Sequence, residues 1–166
     1  MLTNFLGIIA LHGLLGAAPP AMCEIEGGLG GEHATAGFVH DATLIVRARA
    51  IGTDSSATKH GGRIAFEVVE VLKAAAGTTP RRLVIDGTLS DRDDFNDQSV
   101  PYGMVRPTGR AGTCYARQYR VGAEYLLLLN EEAPGMFTPY WAPLLPTNEQ
   151  LHGQNDAWLA WVRAQM

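Results

Sequence analysis

The stretch Thr113–Asn130, TCYARQYRVGAEYLLLLN, decides how the chain is read. It opens on Cys114, one of only two cysteines. Tyr115, Arg117, Tyr119 and Val121 then fall on alternate positions, Gly122-Ala123 breaks the run, and Tyr125 to Leu129 is continuously apolar. Alternation predicts a half-buried strand, the glycine a tight connection, and the short apolar run a strand buried on both faces. Two strands joined by so short a turn need others to pair with.

Working upstream, Ala42 to Ile51 places Leu44, Val46, Ala48 and Ala50 on one face and Thr43, Arg47 and Arg49 on the other, with Ile45 as the exception. That period of two predicts a first strand. Gly52 to Gly62 is polar and glycine-rich, a hairpin loop. Arg63 to Lys73 is a second strand, with Ile64, Phe66, Val68 and Leu72 facing one way. Ala74 to Pro80 is a turn region, and Arg81 to Asp86 a short third strand. Glu24 to His40, rich in glycine, predicts an extended or looped lead-in. Its Gly27-Gly28-Leu29-Gly30-Gly31 lacks the Lys-Ser/Thr ending of a phosphate loop.

Gly87 to Gly112 has no periodicity, and a loop of that length in a compact domain is functional or mobile. Downstream, Glu131 to Gly135 predicts a turn, Phe137 to Trp141 a short strand, and Thr147 to Leu151 one helical turn. A last helix runs from about Asp156 to Ala164, capped by Asn155 or Asp156, with Trp158, Leu159, Trp161 and Val162 on one apolar stripe. The expected fold class is therefore mainly β: a five-stranded antiparallel barrel with a C-terminal α-helix.

The 166 residues suffice for one domain, and 46% hydrophobic with 18% charged is ordinary for a globular protein. A net charge of −4 argues against a nucleic-acid partner. Arg47, Arg49, Arg81, Arg82, Arg117 and Arg120 are read as parts of solvated strand faces. Residues 1–22 carry no charged side chain, and an apolar run from Phe5 to Ala18 is followed by Pro19-Pro20-Ala21. This predicts a secretory signal peptide, with 23–166 as the exported domain, periplasmic or secreted, and the signal as its sole membrane element. The departure is a missing basic segment ahead of Phe5. Cys23 and Cys114 make an even pair in an oxidising space, where a disulfide between them contributes about 4–5 kcal/mol. Two free buried thiols are the alternative.

With these residues placed, the chain resembles the netrin-like group of oligonucleotide/oligosaccharide-binding (OB) barrels. That group includes the N-terminal domains of tissue inhibitors of metalloproteinases. The resemblance rests on Cys23, the strands Ala42–Ile51 and Arg63–Lys73, Cys114, and Gly122-Ala123-Glu124-Tyr125-Leu126. It is also similar to exported bacterial proteins that share the ending Tyr140-Trp141, Asn148-Glu149-Gln150-Leu151, Trp158 and Trp161-Val162-Arg163. It implies an OB-like barrel and a Cys23–Cys114 bond. It also implies, as an alternative function, inhibition of an extracellular or periplasmic metallopeptidase by a free N-terminal Cys23. Against that, Pro20 and Met22 depart from the usual small residues at a cleavage site, and the inhibitors' further disulfides are missing.

The candidate binding loop holds Asp91, Asp93, Asp94 and Asp97. Clustered carboxylates suit a hard cation, but Asn96 and Tyr102 stand where a calcium loop needs Gly and Glu, so a solvated acidic loop is the reading and no metal is assigned. The histidines His12, His33, His40, His60 and His152 have no ligand spacing. No catalytic group, cofactor or Gly-x-Ser-x-Gly elbow is identified. The expected function is a non-enzymatic, monomeric module that binds a protein or small ligand through the 87–112 loop and the barrel face.

Overall fold

The alternating and glycine-marked segments become strands and turns in the computed structural model, which describes residues 32–54, 62–75, 80–139 and 143–166. Along these run α1 (Glu32–Asp41), β1 (Leu44–Thr53), β2 (Arg63–Ala74), β3 (Arg82–Asp86) and β4 (Thr88–Ser90). A single π-helical turn (Gly109–Thr113) follows, then β5 (Gln118–Arg120), β6 (Glu124–Ala133), β7 (Met136–Pro139), β8 (Asn148–Leu151) and α2 (Ala157–Ala164). The expected signal at 1–22, Cys23, the two hairpin tips and the aromatic pair Tyr140-Trp141 lie outside the described residues.

The main sheet is antiparallel, in the order β3-β2-β1-β6-β7, with β8 also paired to β6. β8 lies along Glu124–Leu127 and β7 along Leu129–Ala133. The sheet curls around a core of Leu44, Val46, Ala48, Ala50, Ile64 and Phe66, closed by Tyr119, Tyr125 and Leu127. Ile45, the residue that broke the alternation, belongs to a second core on the other face with Leu126 and Leu128. There Val39 from α1 and Trp158, Leu159 and Val162 from α2 cover it. Register shifts along β1–β2 reverse the alternation late in β2. Val71 consequently packs with Val68 on the first core, and Leu72 reaches the second.

Several expectations are corrected. The chain carries eight strands among the described residues, not five. The lead-in is helical from Glu32, because burying Val39 and anchoring Thr35 Oγ1 to the Tyr102 carbonyl at 3.2 Å outweigh its weak propensity. Lys73 closes the far end of α1 through the Val39 carbonyl at 3.1 Å and the His40 carbonyl. Asn148 to Leu151 is a strand, drawn out by β6, not a helical turn. β6 itself runs on to Ala133, past the turn expected from Glu131. Only Gln118–Arg120 of the tyrosine-rich alternation is strand, and it pairs in parallel with β4.

The sheet is not closed into a barrel. β3 and β7 approach each other across a cleft of about 240 Å³, but no ladder joins them among the described residues. Both edges are blunted. The Arg63 guanidinium takes the Val84 carbonyl at 3.2 Å, and Pro139 in β7 has no N–H to give.

Candidate functional site

The site is built on the long segment between β4 and β5, and the structure shows what holds that segment. Arg106 is fully buried inside it. Its Nη1 donates to Asp94 Oδ2 at 2.5 Å, its Nε to the Asn148 carbonyl at 2.8 Å and its Nη2 to the Ala116 carbonyl at 3.3 Å. The guanidinium lies 5.3 Å from the ring centres of both Tyr119 and Tyr125. Asp94 also accepts from the Thr108 amide at 3.1 Å and from the Thr108 hydroxyl. From β8, the fully buried Glu149 accepts from the Arg106 amide at 3.2 Å and from Asn96 Nδ2 at 3.0 Å. Burial pushes the Glu149 carboxyl up to about 7, against the pull of Arg106 and Asn96. Burial likewise takes the Tyr119 hydroxyl up to about 12.

This network carries a shallow hollow of about 300 Å³ at the surface, lined by Arg49, Asp93, Phe95, Arg120, Glu124 and His152 among others. Gln150 ties the loop to its floor, accepting from the Asp94 amide at 2.8 Å and donating to Asp93 Oδ1 at 2.5 Å. Phe95 stacks on His152 with ring centres 3.9 Å apart. Arg120 Nη1 donates to Asp93 Oδ1 at 2.6 Å, and Arg49 Nη2 to Glu124 Oε1 at 2.8 Å. The hydrogen bonds from Arg120 and Gln150 hold the Asp93 carboxyl below its usual range. Burial pushes Glu124 up, but Arg49 and Arg47 outweigh it and hold that carboxyl low. Beside the hollow the turn at Gly122, with φ +83°, bonds its amide to the Ala50 carbonyl at 2.8 Å. That turn presents Val121, 50% exposed, next to Gly122 at the rim of the hollow.

The four aspartates of the candidate loop do not converge. Asp91 is exposed, Asp93 rims the hollow, Asp94 is buried on Arg106, and Asp97 pairs with Arg110. Among the described residues no three His, Cys, Asp or Glu side chains gather as metal ligands. Arg49 lies solvated on the outer face as expected, whereas Arg47 on the same face is largely covered, 15% exposed between Glu70 and Glu124. His40 meets Asp41 at 3.3 Å on the surface. No free cysteine occurs among the described residues. Cys23 lies outside them, so neither its pairing with Cys114 nor the inhibitor reading that depends on it is described.

Arg106 and Glu149 were missed by the sequence reading. Asn148, Glu149 and Gln150 are all buried polar residues on a four-residue strand, which leaves no apolar alternation to detect. The chain matches no protein-family model, and no curated protein matches it in sequence.

Proposed function

We propose that the chain is an exported, non-enzymatic protein-binding module, an open relative of the OB-like, netrin-like barrels pinned by a Cys23–Cys114 disulfide. The partner docks on the surface of Phe95, His152, Arg49, Arg120 and Val121. One observation carries this reading: an aromatic stack and two half-exposed arginines line one hollow, with the exposed Val121 next in the chain to Gly122 of its rim and the Arg106 network beneath. Aromatic and arginine side chains dominate binding energy at protein interfaces, and a preorganised surface loses little entropy on docking.

The test is capture from the periplasmic or secreted fraction by the tagged domain 23–166. The wild type retains a discrete partner, which Val121→Glu and Phe95→Ser each lose while keeping the wild-type circular dichroism and melting point. Capture of the same proteins by wild type and by the double variant overturns the proposal.

A further inference from the structure

On a different surface from the docking face, we propose that the cleft between β3 and β7 binds a short apolar chain ending in a carboxylate. The cleft is lined by Arg63, Arg82, Val84, Met136 and Phe137 among others, and its 240 Å³ lies below the roughly 300–1,000 Å³ of sites for drug-sized ligands. Its occupant is therefore small.

Arg63 supplies the recognition. It is half-buried, its Nη2 is spent on the Val84 carbonyl, and its Nε is shut off from solvent without an acceptor. No carboxylate pairs with it among the described residues, whereas the fully buried Arg106 and the half-exposed Arg120 each hold one. A half-buried guanidinium is stabilised by an anion, and a carboxylate matches its planar fork. The edge of β3 adds a donor. The Arg81 carbonyl and the Gly87 amide both bond toward β2, so the backbone groups of Arg82, Val84 and Asp86, two residues apart, turn to the open edge. The amide of Val84 thus stands beside Arg63 on the side of the cleft. Met136, 56% exposed, and Phe137 supply an apolar wall for the chain behind the carboxylate.

The ligand's source is either a free acid or the C-terminus of a peptide, and the probes separate them. Hexanoate and N-acetyl-Val-Leu are titrated into the ¹⁵N-labelled domain, beside hexanamide and the dipeptide amide. Amide shifts at Arg63, Val84, Met136 and Phe137 with the acids and not with the amides support the site. Response to hexanoate alone assigns a free acid, to the dipeptide alone a chain terminus, and to both a carboxylate-ended chain in general. Arg63→Gln weakens binding by at least about tenfold, the scale of one charged hydrogen bond, and Arg63→Lys retains part of it. Equal shifts with acids and amides, or none at these residues with any probe, overturn the proposal whatever the variants do.

Discussion

At the scale of single residues, one guanidinium faces two buried carboxylates. Arg106 pairs directly with Asp94, while Glu149 meets it through the Arg106 backbone amide and the field of the guanidinium. Burial lifts the Glu149 carboxyl from its ordinary 4.5 to about 7, so between those values the folded protein holds a proton that the unfolded chain releases. Stability from this group is complete below about pH 4.5 and is lost as the pH rises through about 7, on the order of 3 kcal/mol in all. Glu70, Glu124 and Asp93 have the opposite sign, because their lowered carboxyls contribute above the unfolded value and lose that contribution in acid. Urea unfolding of wild type and Glu149→Gln at pH 5 and pH 8 separates the two. The wild type loses stability relative to the variant on going to pH 8, and parallel pH profiles refute the assignment. Legibility at this scale was uneven. Asp156 was readable as a helix cap, and it accepts from the Trp158 amide at 2.8 Å. Arg106 was not, because an arginine between Val105 and Pro107 in an aperiodic loop gives no sign that two tyrosines and an aspartate will close over it.

Among the elements, those with a strict period were legible and those formed by tertiary demand were not. β1 appears where alternation placed it, and α2 where its apolar stripe did. α1 and β8 escaped because their environments decide their conformation: the helix covers the outer face of the sheet, and β8 fills the pairing sites along the first half of β6. β4 and β5 escaped for a related reason. Three residues each is too short for a period to show, and their parallel pairing depends on Tyr119 being drawn into the first core. That junction is tight at Gly87, where a β-carbon would lie 2.6 Å from the Tyr119 ring and 2.7 Å from the Arg117 carbonyl. Backbone cannot yield as a side-chain tip does, so Gly87→Ala costs about 1–3 kcal/mol by overpacking. A thermal melt showing no loss in Gly87→Ala would mean that the β4–β5 ribbon sits otherwise.

For the whole molecule, the curled sheet encloses one core and the helices seal a second over its outer face. The sequence carried the β class and the C-terminal helix, but closure depends on whether two distant edges come into register, which no local pattern encodes. The compartment was read from residues 1–23, and its chemistry is testable directly. A non-reducing peptide map of exported protein is expected to show Cys23 joined to Cys114, and reduction to lower stability by about 4–5 kcal/mol. Two alkylatable thiols in the exported protein would remove both the bond and its support for a netrin-like kinship. The unjoined margin carries a consequence for how the molecule comes apart. In a sealed cylinder every rung has two neighbours, so none can leave without breaking the ring. Here, among the described residues, the seam strands β3 and β7 are each paired along one side alone, so fraying is expected to begin there while β1, flanked by β2 and β6, is released last.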